Sequence, residues 1–276
     1  MLKKIEYGKS YRYDSYTWEE LNEIIAQDRV ALLPVGSIEQ HGKHLPIDAD
    51  SFILEQMCIA AAEKVPEDIL LLNLIPYGFC WHHIDFPGPL SVTGNHLSEF
   101  VLDITKSLVH HGVRRILIIN GHGSNAPYLE DAARRTVLET NAICGSFISY
   151  NLAKKEIAEV RESEWPGGIA HACEMETSVY LYLAKDRVKM DKVVKEIGFG
   201  KSKYHWIDTI GPSPVSMRTW WSTISESGVV GDATLSSVKK GEIIFNAVVD
   251  NLVQLIKEIK NRKIKNRKDH HKTEKI

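Results

Sequence analysis

Apolar and polar positions along this chain change in blocks rather than residue by residue. Four short runs rich in Val, Ile and Leu stand out: Val30–Gly36, Ile69–Ile75, Arg114–Asn120 and Ala142–Tyr150. Runs of that length and character fit strands covered on both faces. Between and after them the spacing turns helical. In Asp50–Lys64 the apolar residues Phe52, Ile53, Met57, Ala60 and Ala61 recur on one face. Ser98–His111, Ala126–Thr140, His171–Ala184 and Lys239–Ile264 are further helix candidates. Strands separated by helices predict βαβ units, and so a mainly parallel sheet sandwiched by helices. The segment Gly198–Gly231, rich in Trp, Ser and Pro, fits neither pattern. It reads as a long excursion over a site rather than as a second domain.

The chain has no internal repeat and no Gly/Ser linker, so residues 1–265 are expected to form one domain. Residues 266–276 form a basic tail, expected to be disordered. Such a tail could serve as a nucleic-acid arm, but without interleaved aromatics it reads better as the solvated end of the last helix. A formal net charge of −2 gives no global attraction to nucleic acid or to an acidic membrane. No apolar run approaches a membrane span, and the first residues lack the apolar core of a signal peptide. Four cysteines without a C-x-x-C pair exclude a zinc ribbon and fit a reducing compartment. A cytoplasmic protein is the expectation.

Chemistry concentrates where the predicted strands end, the place where open parallel sheets bind ligands. After Val30–Gly36 come Glu39, His41, His44, Asp48 and Asp50 within a dozen positions. Glu39 and His41, two apart, can face the same way in extended backbone. Gly42 and Pro46 let the loop fold back to bring Asp50 near them, although Asp48 and Asp50 could also serve as helix caps. Carboxylate and imidazole together suit zinc, manganese or iron. The second cluster is Asn120-Gly121-His122-Gly123-Ser124-Asn125, with His122 between glycines at a strand-to-helix turn. Neither nucleotide-loop fingerprint is present there. In the third, His171 and Glu174 are three apart and would share one face of a helix. Cys173 reads as a packing residue. His82, His83 and Asp85 precede Phe86-Pro87-Gly88 and could contact substrate or form a hydrogen-bonded pocket wall. Trp206, Trp220 and Trp221 could stack on a planar substrate or pack in the core.

Four stretches, EQHGKHLPIDAD, NGHGSN, HACEMETS and GDATLSSVKKGE, resemble in content and order the signatures of the creatininase (creatinine amidohydrolase) family. The resemblance spans nearly the whole chain and implies an α/β/α three-layer sandwich with a two-metal site. Carried over by position, Glu39, His41, Asp50 and His122 match family metal ligands, with Asp50 in the bridging place. The namesake enzyme has a metal-binding acid two residues beyond the His of its NGH motif, where this chain has Ser124. Relatives with the Gly-rich version carry an acid in the H-A-x-E-x-E-T-S stretch instead, which makes Glu174 the expected fifth ligand. Ala170 replaces the glutamate that precedes the namesake's catalytic His, so creatinine itself is a poor expectation as substrate.

The resemblance implies two divalent ions per chain, zinc first, with manganese or iron as alternatives. A metal-bound hydroxide would attack a carbonyl of a small, cyclic substrate and cleave an amide C–N bond, with His171 as general acid. His82, His83 and Trp221 are the expected substrate contacts. The alternative chemistry is hydrolysis of a C–C bond in a cyclic diketone derived from an inositol, of the 3-dehydro-scyllo-inosose type. A small-molecule substrate, no nucleic-acid or membrane partner, and a homo-oligomer, as large as a hexamer, complete the expectation.

Overall fold

The structure, a computed structural model, describes residues 10–271. Its centre is a four-stranded parallel sheet in the order β2-β1-β3-β4, with β1 Val30–Val35, β2 Ile69–Leu71, β3 Arg115–Asn120 and β4 Ile143–Ile148. All residues of β1 and β3 are buried, which is why both strands read as continuous apolar runs. Alternation survives inside those runs. Ala31, Leu33, Val35, Ile116 and Ile118 join one core with residues of α3 (Gly94–His110) and α4 (Ala126–Glu139). Val30, Leu32, Leu117 and Ile119 join the other with α2 (Ala49–Lys64), α6 (Glu174–Ala184) and α7 (Val238–Asn261). The outcome is the expected α/β/α three-layer sandwich.

Several boundaries differ from the sequence-based expectation. The second strand ends at Leu71, although Ile75 still bridges to Val35. A first helix, α1 (Trp18–Ala26), had no counterpart among the expected elements; Thr17 and Glu20 close a capping box at its start. A short helix α5 (Lys154–Val160) follows β4. The largest departure lies at residues 169–174. Ile169–His171 forms strand β5, Ala172 turns the chain at a left-handed φ of +49°, and α6 begins only at Glu174. His171 is therefore not on a helix, and the face it was expected to share with Glu174 does not exist. β5 pairs with β7 (Val230–Asp232), which also pairs with β6 (Lys195–Glu196), giving a small antiparallel sheet in the order β5-β7-β6. The excursion 198–229 leads into β7 and so returns to the strand that carries His171.

The last helix ends at Asn261, and residues 262–271 are neither helix nor strand. The remainder of the expected tail, 272–276, lies outside the described residues. Among the described residues no helix is long and apolar enough to cross a membrane. The four cysteines are unpaired thiols.

Candidate metal centre

The carboxyl ends of β1 and β3 bring two of the polar clusters together. Two asparagines of the second cluster act as clamps. Asn120 receives the His122 N–H at 2.9 Å and donates to the His122 carbonyl at 2.7 Å, which fixes that backbone turn. Asn125 donates to the Gly36 carbonyl at 2.9 Å and accepts from the Phe79 N–H at 2.8 Å, tying the end of β1 to the 76–93 loop. Gly121 lets β3 approach the start of α2 closely, since a Cβ there would lie 2.8 Å from the Asp50 carbonyl.

On this frame Glu39, His41, Asp50 and His122 converge, every one of them buried. His41 Nε2 lies 3.2 Å from Asp50 Oδ1, and His122 Nδ1 lies 3.1 Å from Asp50 Oδ2 and 3.1 Å from Glu39 Oε2. Each imidazole uses its other nitrogen on a backbone carbonyl: His41 Nδ1 on Glu39 at 3.3 Å, His122 Nε2 on Phe79 at 3.1 Å. That second contact is the usual way of orienting a metal-binding histidine. Glu39 Oε1, His41 Nε2 and Asp50 Oδ2 are buried without any hydrogen bond, an expensive condition for polar atoms that share one pocket. The donor set and these orphaned atoms fit divalent cations. Glu39, Asp50 and His122 present ligand atoms all within 4.8 Å of one another, and so do His41, His171 and Glu176.

The electrostatics point the same way. Burial opposes charge on His41, but Asp50, with Glu176 and Glu39 behind it, outweighs burial and lifts the imidazole to about 9. Burial would raise Asp50, yet His41 and His122 hold it well below the usual carboxylate range. Burial lifts Glu176 to about 7, with Asp50 and Glu39 reinforcing it. Carboxylates held this close draw protons onto their neighbours, and a cation would answer the same excess of negative charge.

Glu174, the acid expected from sequence as the fifth ligand, lies elsewhere. Its carboxylate is paired with Lys240 and accepts the N–H groups of Ser163 at 2.9 Å and Glu162 at 3.1 Å. The acid that faces His41 is Glu176, two residues on. The repeated Glu in E-M-E was the available signal, and it could be resolved only by knowing where the helix starts.

His171, at the end of β5, reaches the same centre: its Nδ1 is 3.6 Å from Glu39 Oε1 and its ring centroid is 4.3 Å from that of His41. His83 Nε2 is 3.4 Å from the same Glu39 oxygen. Trp221, from the excursion, lies over these rings, with centroids 4.7 Å from His83, 5.1 Å from His171 and 5.6 Å from His82. His82 itself meets Ser124, its Nε2 3.3 Å from Oγ. His82, His83 and Trp221 are thus brought together, whereas Asp85 is held by Ser222. Trp206 packs against Trp165 and donates to the Gly211 carbonyl, and is absent from this group. Gln40, which sequence reasoning passed over, contacts both His83 and His171.

A family model described as creatinine amidohydrolase, "Creatininase", matches residues 14–256. The creatinine amidohydrolase of Pseudomonas putida is 29% identical over 91% of this chain and 98% of its own. The mycofactocin precursor peptide peptidase of Mycobacterium tuberculosis (strain CDC 1551 / Oshkosh) is 31% identical over 82% of this chain and 83% of its own. A 3-dehydro-scyllo-inosose hydrolase of Thermotoga maritima is 25% identical over 91% and 84%. Among solved structures, a crystal structure of creatininase superimposes with a TM-score of 0.78 at 26% identity, covering 92% of this chain and all of that one. A manganese form of creatininase and a Zn–Zn form of a mutant each give 0.77, at 26% and 27% identity, over 91% of this chain and 98% of theirs.

Proposed function

Given that the chain belongs to the creatininase family of hydrolases, we propose that it is a two-metal amidohydrolase that cleaves the C–N bond of a small, cyclic amide. The observation that carries this reading is the position of Asp50, whose two oxygens face two different histidines at 3.2 and 3.1 Å. Asp50 would bridge one ion held by Glu39 and His122 and a second held by His41 and Glu176. Glu176 replaces Glu174 in this ligand set, and Ser124 contributes none. Zinc is our first choice, with manganese or iron also suited to mixed oxygen and nitrogen donors. Bound ions would supply an activated water and polarise the substrate carbonyl.

The remaining work falls to this chain's own side chains. Burial holds the His171 imidazole neutral, its pKa well below the ordinary histidine range. Its Nδ1 faces Glu39, so His171 is placed to take a proton and pass it to the leaving nitrogen. Trp221 and His82 cover the imidazoles and would hold a flat substrate against them while restricting water. Two of the three relatives named above hydrolyse amides by name, which supports C–N rather than C–C cleavage. We further propose a cytoplasmic homo-oligomer, whose mass native mass spectrometry would give.

The test is a screen of zinc-loaded enzyme against cyclic amides, short peptides and polyhydroxylated cyclic diketones. Hydrolysis of an amide is expected, falling about 10²–10⁴-fold in His171→Asn with metal content unchanged. Turnover of the diketones alone would replace the C–N reading by C–C hydrolysis, and absence of turnover in every arm would remove the substrate class proposed.

A further inference from the structure

Gln40 lies between two candidate ligands and is itself buried, with 6% of its surface exposed. Its Oε1 accepts the Gly42 N–H at 2.9 Å, and its Nε2 donates to the Gly228 carbonyl at 3.0 Å. Both partners are backbone groups of fixed polarity, so the orientation of the amide is settled. The approach to the second is close enough to require glycine: Gly228 has φ +90°, and a Cβ there would lie 1.9 Å from Gln40 Oε1.

The amide NH₂ has two hydrogens, and one goes to Gly228. Two ring nitrogens compete for the other, His83 Nδ1 at 2.8 Å and His171 Nε2 at 3.1 Å. His171 Nε2 also lies 2.7 Å from the Gln40 main-chain carbonyl, a group that only accepts. His171 Nε2 must then carry a hydrogen and cannot receive one. The second amide hydrogen therefore goes to His83 Nδ1, and the proton of a neutral His83 is on Nε2. That nitrogen lies 3.4 Å from Glu39 Oε1, an atom that accepts no hydrogen bond. His41, His122 and His171 each use one N–H on a backbone carbonyl and turn the other nitrogen inward. His83 has the opposite arrangement.

We propose that Gln40 is a positioning residue that sets His83 as an inward-facing N–H donor, and that His83 serves substrate oxygen, not metal. Although Glu39, His83 and His171 are close enough together to hold an ion, a protonated nitrogen cannot ligate one. An N–H beside the metal centre is suited to the oxygen on which negative charge develops when a carbonyl is attacked. The proton assignment is independent of the hydrolase reading; the service to an oxyanion rests on it. Gly228 joins the same amide, so the excursion bearing Trp221 and the two histidines are set by one side chain.

Neutron diffraction from perdeuterated, zinc-loaded enzyme tests the assignment without any substrate. Deuterium is expected on Nε2 of both His83 and His171, with zinc on neither atom. In Gln40→Glu, whose carboxylate accepts instead of donating, deuterium should appear on His83 Nδ1. Zinc on His83 Nε2, or deuterium on His83 Nδ1 in the wild type, would overturn the proposal. An unchanged His83 in a folded, zinc-loaded Gln40→Glu would overturn the positioning role, and should that variant not fold, the wild-type nuclear map decides alone. With an amide substrate in hand, His83→Phe should lower kcat about 10²–10³-fold with little change in KM. If the deuterium is found as expected while no amide is turned over, the amidohydrolase reading falls and the assignment stands.

Discussion

At the scale of single residues, the metal centre depends on which acid faces which imidazole. Asp50 offers one oxygen to His41 and the other to His122, so Asp50→Ala removes a ligand from both proposed ions. Mass spectrometry of metals on protein purified without chelator is expected to find about two ions per chain in the wild type and most of them lost in Asp50→Ala. Glu176→Gln should lose about one ion and Glu174→Gln none. Equal loss from the two glutamate variants would contradict the placement of Glu176 in the site and of Glu174 against Lys240. Sequence reasoning chose Glu174 through the resemblance to relatives that carry an acid in the H-A-x-E-x-E-T-S stretch, and its three-residue spacing from His171 suggested a shared helical face. That inference fails because His171 is in a strand and the helix starts at Glu174.

At the scale of elements, Glu174 has a structural task of its own. It joins the start of α6 to Lys240 in the first turn of α7 and to the backbone of residues 162 and 163. Burial works against its charge, but Lys240 and those N–H groups prevail and lower its pKa below the ordinary 4.5. A lowered carboxylate pKa stabilises the fold at pH above 4.5, and that stabilisation is lost as pH falls through the lowered value. Wild type should exceed Glu174→Gln by about 1.5–3 kcal/mol near pH 7, because the variant removes one of the two carboxylates paired with Lys240 while Glu162 stays 2.7 Å from its Nζ. The gap should narrow toward pH 3. Urea midpoints measured across that range check it, and a constant gap would exclude the ion pair as its source. The Asn125 clamp offers a second test on a different element. Asn125→Ala leaves the Gly36 carbonyl and the Phe79 N–H unpaired, at about 1–3 kcal/mol for each. Its urea midpoint should drop accordingly, with metal content reduced because the end of β1 loses its tie to the 76–93 loop.

At the scale of the whole molecule, we propose that the three layers and the centre at the carboxyl ends of the strands form a unit that does not need the tail. A chain ending at residue 265 is expected to keep its metal and its midpoint, since Arg115, which donates to the Arg262 carbonyl at 3.0 Å, retains that contact. Loss of metal on truncation would show instead that the tail acts on the site. Sequence by itself determined the parallel sheet, because strands buried on both faces must be apolar along their whole length and helices must cover them. It also gathered Glu39, His41, Asp50 and His122 into one candidate set through the resemblance of their motifs to the family's, and the fold brings those four side chains together at the strand ends. What only the tertiary structure decided depends on contacts between distant segments. In the antiparallel trio β5-β7-β6, strands of two or three residues pair across some thirty-five to sixty positions, too short to leave a periodic signal. Glu176 over Glu174, and the role of Gln40, follow from the strand-to-helix turn at Ala172 and from Gly228, whose hydrogen bond reaches across 188 positions. Local spacing carries no record of such partners, and the protons on His83 and His171 were decided only when the chain closed around them.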